Sequence, residues 1–269
     1  KSAFDIAMYD IASQNKEVPL YKFLGGRMKK VVTDYTISID EPAAMAEHAL
    51  ALKQSGFKII KVKLGGHPLT DIERIRVIRN TVGNGIALRI DANQGWKLDD
   101  AIIALKGMAK FNIQYCEEPI PRWDWMNMKL LKKKSPIKIM ADESCFDEHD
   151  AKKLIEIKAC DMFNLKLGKS AGIFKALRII RLAEKAGMEM QVGGFMESGI
   201  AMTANYHLAL SSGNICYYDF DTPMMFTENP VTGGIQYRKN GTVTLEKSTG
   251  LGAYIDKKRL KKFQSEVFK

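Results

Sequence analysis

The chain has 269 residues, of which 46% are hydrophobic and 27% are charged, proportions typical of one large or two small globular domains. No apolar run approaches the ~20 residues of a membrane-spanning helix, so we expect no membrane partner. The net charge of +10 comes largely from lysines, many of them at predicted helix ends. Because no aromatic residues are interleaved with these lysines to stack on bases, we expect no nucleic-acid partner.

The four cysteines, Cys116, Cys145, Cys160 and Cys216, form no CxxC pair and show no disulfide spacing. No signal peptide opens the chain. Both features favour a reducing compartment, and we expect a cytoplasmic protein.

Short apolar stretches predict eight β-strands that alternate with seven amphipathic helices. The strands are predicted at 31–39, 59–64, 87–93, 113–119, 137–143, 162–168, 189–197 and 217–221. Regular β-α alternation implies a parallel sheet with right-handed crossovers. Eight such units in ~250 residues predict an α/β fold of the TIM type, a (β/α)7β barrel. A doubly wound open sheet is the alternative.

We predict a barrel at residues 31–225 with a segment on either side. Residues 1–30 begin within an amphipathic helix, KSAFDIAMYDIA, that leads into the barrel. Residues 226–269 are Gly-rich with short β-like stretches. This second segment is expected to be an extension that packs on another domain.

Charged residues occupy the carboxyl ends of nearly all the predicted strands, where the active sites of TIM barrels lie. The third, fourth and fifth strands end in Asp91 and Asn93, Glu117 and Glu118, and Asp142 and Glu143. One such residue usually caps a turn or a helix, but three neighbouring carboxylates repel unless a cation lies among them. Oxygen ligands without His or Cys select a hard ion, Mg²⁺ or alternatively Mn²⁺.

Three lysines and two aspartates complete the predicted site. Lys61 and Lys63 are two residues apart on the second strand, so both point into the barrel mouth. Two close ammonium groups lower each other's pKa, which makes a neutral lysine available as a general base. Lys166 lies on the sixth strand, opposite the second, and the eighth strand carries Asp219 and Asp221 opposite the fourth. A metal-bound substrate carboxylate would therefore place its α-carbon between the lysines and its far end near the aspartates.

Five motifs in chain order, KVKLG, DANQGW, EEP, ADES and NLKLGKSAGI, resemble the muconate-lactonizing subgroup of the enolase superfamily. The resemblance implies that Lys63 and Lys166 are the acid/base groups on the two faces of the α-carbon and that Lys61 assists them. The implied metal ligands are Asp91, Glu117 and Asp142, and the implied substrate-orienting residues are Asn93, Glu143 and Glu197. It also implies an N-terminal α+β capping domain, which we expect to be missing from this chain. Glu118 stands where many relatives have Gln, and strand alternation is expected to turn it away from the mouth.

The segment DFDTP on the eighth strand resembles the DxD motif of dipeptide epimerases, in which Asp219 and Asp221 would hold the α-ammonium group. We therefore expect a Mg²⁺-dependent, homo-oligomeric epimerase that moves the α-proton of a dipeptide by a two-lysine 1,1-proton transfer. The alternatives within the subgroup are an N-acylamino acid racemase, an o-succinylbenzoate synthase and a muconate cycloisomerase. A non-catalytic barrel that serves as a binding module is the alternative from another class.

Overall fold

A barrel of parallel strands surrounded by helices forms the body of the molecule, and the computed structural model describes residues 1–261. The strands are β1 (Val31–Val32), β2 (Tyr35–Ile37), β3 (Ile59–Lys63), β4 (Ala87–Asp91), β5 (Ile113–Glu117), β6 (Ile139–Ala141), β7 (Met162–Leu165), β8 (Glu189–Val192), β9 (Ile215–Tyr218), β10 (Val231–Gly233), β11 (Ile235–Tyr237), β12 (Thr242–Leu245) and β13 (Ala253–Ile255). The helices are α1 (Ser2–Asn15), α2 (Leu20–Phe23), α3 (Pro42–Gln54), α4 (Pro68–Val82), α5 (Leu98–Met108), α6 (Trp125–Lys134), α7 (Glu148–Ile157), α8 (Ile173–Lys185), α9 (Gly199–Ala209) and α10 (Lys257–Leu260). Two short 3₁₀ turns lie at Ala109–Phe111 and Thr222–Met224.

The barrel wall consists of β2 to β9, which pair in chain order and in parallel. The first and last strands are joined by bonds that involve side chains: the Phe220 N–H donates to Thr33 Oγ1 at 2.8 Å, and the Thr36 N–H donates to Asp221 Oδ2 at 2.7 Å. The predicted TIM-type barrel is confirmed, and each of the eight predicted strands overlaps one strand of the wall. The last one is displaced, since β9 begins at Ile215 and ends at Tyr218 whereas the predicted span is 217–221.

Strand β3 shows why the sequence forms this wall. Ile60 and Val62 are fully buried in the hydrophobic core, whereas Lys61 and Lys63 alternate with them and turn to the barrel interior. Helix starts also follow local signals, since Pro68 opens α4 and the Asp147 carboxylate accepts two backbone N–H groups at the start of α7.

The first predicted strand, 31–39, divides into two. Val31 and Val32 leave the wall to pair with β12 of the C-terminal segment, and Tyr35–Ile37 alone pairs with β3. The Thr33 N–H bonds to the carbonyl of Gly241, which continues the outward pairing up to the point where the chain enters the barrel.

The described part of the C-terminal segment packs on this chain's own helices. The Tyr206 hydroxyl of α9 donates to the carbonyl of Val243 at 3.1 Å, and the Leu251 N–H donates to Asp10 Oδ1 of α1 at 2.6 Å. Packing of this segment on a second domain stays a prediction. None of the helices within residues 1–261 combines the length and apolar character needed to cross a membrane.

Candidate active site

Three buried carboxylates form a row across the carboxyl end of the barrel. Asp91 ends β4, Glu117 ends β5 and Asp142 follows β6 by one residue. Asp91 and Glu117 are direct neighbours in the sheet register. All three are at most 1% exposed. We call Asp91, Glu117 and Asp142 the carboxylate row, and the sequence-based resemblance named the same three residues as metal ligands.

Lys61 is enclosed by acidic side chains. Its Nζ lies 3.0 Å from Asp91 Oδ2, 2.8 Å from Glu117 Oε2 and 2.9 Å from Asp219 Oδ2. Burial alone would lower the pKa of Lys61, but these three carboxylates raise it well above its ordinary value. The expected lowering of the pKa is therefore wrong for Lys61, because its nearest neighbours are carboxylates rather than another ammonium group.

Lys63 and Lys166 bind opposite ends of the carboxylate row. Lys63 Nζ donates to Asp91 Oδ2 and to Asn93 Oδ1, each at 2.7 Å. Lys166 Nζ donates to Asp142 Oδ2 at 2.5 Å. Burial opposes the charge of Lys166, yet Asp142 and Glu117 together outweigh burial and raise its pKa. The two lysines line the same cavity, and their facing each other across the mouth stays a prediction.

The centre of the carboxylate row, Glu117, ionises less readily than its two neighbours. Burial and the neighbouring Asp91 raise the pKa of Glu117 to about 7. Burial also acts on Asp91, but the Lys61 and Lys63 ammonium groups outweigh it and lower the pKa of Asp91. A further cation would relieve the repulsion at Glu117. Because all the donors are carboxylate oxygens, the row fits a hard ion such as Mg²⁺.

Asp219 and Asp221 lie on the opposite side of the mouth. Burial opposes the charge of Asp219, but the lysines, Lys61 above all, outweigh it and lower the pKa of Asp219 to about 2, so this carboxylate is ionised at neutral pH. Burial and the charge of Asp219 raise the pKa of Asp221 to about 7. The pair therefore carries negative charge that a cationic ligand would stabilise.

Asp34 is a buried neighbour of this pair that sequence reasoning missed. Within residues 1–261, Asp34, Asp219 and Asp221 form a group of three acidic side chains that each place one carboxylate oxygen within 4.8 Å of the other two. Arg89 Nη1 donates to Asp34 Oδ2 at 2.7 Å, so Asp34 already has a counter-charge. The available signal was a lone Asp within the apolar strand VVTDYTISI and a lone Arg within ALRID.

A cavity of about 450 Å³ opens at this end of the barrel, a volume suited to a small molecule. Tyr35, Phe195, Met196 and Met225 give it an apolar side. Among the predicted site residues, those that line it are Lys61, Lys63, Lys166, Asn93, Glu143, Asp219 and Asp221. Asn93 Nδ2 donates to Glu143 Oε1 at 3.2 Å, so these two form one polar group at the Lys63 side.

Glu197 is the predicted substrate-orienting residue that lies apart from this cavity. Its Oε2 accepts a hydrogen bond from Asn205 Nδ2 at 2.8 Å. A Cβ placed on Gly194, which does line the cavity, would lie 2.9 Å from Glu197 Oε2. Glu197 therefore lies directly behind the cavity wall and contacts the segment that forms it.

Lys169 is a second residue that sequence reasoning missed. Its Nζ donates to Asp142 Oδ1 at 2.6 Å and to the carbonyl of Asn164 at 2.8 Å, and its side chain is fully enclosed. Asn164 Nδ2 in turn donates to Glu117 Oε1 at 2.7 Å. Both residues stand in the motif NLKLGKSAGI, where a second lysine and a polar residue within a buried strand were the available signals.

An eight-stranded barrel with lysines on opposite sides of a carboxylate row is the architecture of enolase-superfamily isomerases. The chain belongs to the enolase C-terminal domain-like family, whose model matches residues 44–259. Its relatives at 40–55% identity are epimerases, so the chain is an enzyme of the racemase and epimerase class.

Three relatives illustrate the match. The chain is 55% identical over 254 residues to the D-Ala-D/L-Ala epimerase of Cytophaga hutchinsonii, with 94% of this chain and 69% of that protein covered. It is 40% identical to the L-Ala-D/L-Glu epimerase of Clostridium acetobutylicum, with 94% and 71% covered. A crystal structure of the dipeptide epimerase from Cytophaga hutchinsonii, complexed with Mg and the dipeptide D-Ala-L-Val, superimposes with a TM-score of 0.96 at 53% identity and covers 98% of this chain and 72% of that one.

Proposed function

We propose that this protein is a Mg²⁺-dependent epimerase that inverts the α-carbon of a dipeptide by a two-lysine 1,1-proton transfer. The observation that carries the proposal is the position of Lys63 and Lys166, which bind opposite ends of the carboxylate row and line one cavity. The similarity to a dipeptide epimerase that binds Mg and D-Ala-L-Val supports the same choice of metal and substrate class.

In this proposal Asp91, Glu117 and Asp142 hold the metal ion. Mg²⁺, or Mn²⁺ in its place, would neutralise the charge that develops on the substrate carboxylate as the α-proton leaves. These residues offer carboxylate oxygens from three neighbouring strands, which is the donor set that such a hard ion prefers.

Lys63 and Lys166, at the two ends of the carboxylate row, divide the proton transfer between them. A neutral lysine takes the α-proton from one face, and a protonated lysine delivers a proton to the other face. A single base would return its proton to the original face, so inversion requires both. Lys61 is buried among three carboxylates that raise its pKa, and it therefore remains charged and acts only electrostatically.

The far end of the substrate would meet Asp219 and Asp221. Asp219 is ionised and lines the cavity, and an α-ammonium group placed beside the pair would also favour ionisation of Asp221. An N-acylated amino acid carries no α-ammonium group, and succinylbenzoate precursors and muconate carry no ammonium group at all. This region therefore favours a dipeptide with a free amino terminus.

The test compares dipeptides with their N-acetylated forms in D₂O, with α-deuterium incorporation and epimerisation as the readouts. We expect turnover of free dipeptides and a loss of at least about tenfold in kcat/KM on acetylation, because a hydrogen bond to a charged group contributes about 1.5–3 kcal/mol. Equal turnover of both forms would make an N-acylamino acid racemase the better assignment. Exchange in neither form would favour a non-catalytic barrel.

The homo-oligomer and the cytoplasmic location remain predictions from the sequence. Sedimentation equilibrium and cell fractionation would test them.

A further inference from the structure

Glu118 follows a member of the carboxylate row directly but points away from the cavity. Its backbone has a φ of 32°, in the left-handed region that residues with a Cβ rarely adopt. Such a conformation persists only where surrounding contacts enforce it, and it is often found at functional sites. The turn carries the Glu118 side chain under the loop that follows β6, where it is fully buried.

Within residues 1–261, the hydrogen bonds that the Glu118 carboxylate accepts all come from that loop. Oε2 accepts the backbone N–H of Asp142 at 2.7 Å and the backbone N–H of Ser144 at 3.1 Å. The Ser144 hydroxyl donates to Oε1. One carboxylate thus holds the loop at the residue that carries the Asp142 side chain and again two residues later.

We propose that Glu118 is a positioning residue that fixes the backbone of Asp142, so that the Asp142 carboxylate stays in line with Glu117 and Asp91. The inference rests on the proposed function, in which these three residues hold Mg²⁺. Lys169 has a different task, because it bonds to the Asp142 carboxylate and carbonyl and leaves the backbone N–H to Glu118. Buried partners of this kind typically change metal affinity 10–100-fold when they are removed.

The geometry indicates that Glu118 holds the loop through the length of its side chain rather than through its charge. Both backbone N–H groups bond to the same oxygen, so the single carbonyl oxygen of a glutamine could accept both. The Ser144 hydroxyl lies 3.4 Å from the carbonyl of Arg122 and could donate there while it accepts from the glutamine amide. An aspartate keeps the charge but is one methylene shorter and cannot span the same distance.

Glu118→Gln and Glu118→Asp therefore separate the two explanations. By titration calorimetry with MgCl₂, we expect Glu118→Asp to weaken Mg²⁺ binding about tenfold or more, and Glu118→Gln to remain within about threefold of the unmodified protein. Glu73→Gln and Glu73→Asp, at an exposed glutamate of α4, are the matched controls and should leave the affinity unchanged.

A second readout needs no metal. Hydrogen–deuterium exchange at the Asp142 and Ser144 amides should accelerate in Glu118→Asp and stay slow in Glu118→Gln, because only the aspartate releases these N–H groups. A Glu118→Asp variant with unchanged exchange overturns the inference, and so does a Glu118→Gln variant that is the weaker binder of Mg²⁺. If the unmodified protein bound no Mg²⁺ while the exchange pattern held, the metal assignment would fail and the positioning of the loop by Glu118 would stand.

Discussion

The two ends of the carboxylate row carry the same chemical group in different surroundings. Lys63 is 30% exposed and bonds to Asp91 and to Asn93 at the cavity surface. Lys166 is 8% exposed, bonds to Asp142, and has the Phe195 ring 5.1 Å from its Nζ. A proton on Lys63 can therefore exchange directly with water, whereas a proton on Lys166 is screened. The reaction is chemically symmetric, but its two faces differ in solvent access.

The largest expected effect comes from removing either Lys63 or Lys166. In Lys63→Ala and in Lys166→Ala we expect epimerisation to fall about a thousandfold or more, because general acid–base catalysis contributes 10²–10⁴-fold and inversion requires both groups. Polarimetry on a free dipeptide measures the rate. Lys175→Ala on α8, which removes a half-exposed lysine paired with Glu148, is the control. A single variant that epimerises at nearly the normal rate contradicts the division of labour.

Asp221 lies across the barrel mouth from the carboxylate row, and its negative charge destabilises the folded state. Its pKa is about 7 in the folded chain and ~3.9 in an unfolded one. When folding raises the pKa of an acid, the folded protein loses stability as the pH rises from the unfolded pKa to the folded pKa. Asp221→Asn can still accept the Thr36 N–H but cannot ionise, so we expect a higher Tm at pH 8 and an unchanged Tm below pH ~4.

The same variant should bind substrate less well. We expect Asp221→Asn to raise KM for a free dipeptide roughly tenfold, since the ammonium group loses a charged partner. Asp99→Asn, at an exposed position of α5, is the control for both measurements. A lower Tm at pH 8 would show that the carboxylate of Asp221 stabilises the fold rather than strains it.

The smallest expected effect comes from Phe195, whose ring shields Lys166 from solvent. Phe195→Ala should expose the Lys166 ammonium group and increase deuterium incorporation from that face about two- to fivefold, an order-of-magnitude estimate for loss of partial burial. The change should concern one stereoisomer of the substrate. Phe174→Ala, an equally exposed phenylalanine on α8, is the control. Equal incorporation in both stereoisomers would mean that Phe195 does not screen Lys166.

Most of the fold was predictable because parallel strands follow a simple local rule. Alternation placed Lys61 and Lys63 on the inner face of β3, and the order of the strands placed Lys166 opposite them. These inferences need only the period of the strand and the order of the strands in a closed barrel. Glu118 also points away from the mouth as expected, but it lies beyond the end of β5 with a φ of 32°, so the turn rather than strand alternation directs its side chain.

The contacts that could not be predicted from the sequence join residues on separate strands or lie in irregular backbone. The Arg89–Asp34 pair joins a residue of β4 to the residue just before β2, two strands away, which only the long Arg89 side chain can bridge. Lys169 stands in the turn after β7, where alternation no longer fixes the direction of a side chain. The direction of the Lys61 pKa shift likewise depended on the distances to three carboxylates, which no spacing in the sequence gives.

The stereochemistry of residual exchange tests the central claim most directly. Lys63→Ala and Lys166→Ala should each still exchange the α-proton of one dipeptide stereoisomer with D₂O, through the lysine that remains. Proton NMR of the two stereoisomers, incubated separately with each variant, gives four exchange rates. Our account predicts that each variant exchanges one stereoisomer and that the two variants choose opposite ones. Exchange of the same stereoisomer by both variants would show that Lys63 and Lys166 do not serve opposite faces of the α-carbon.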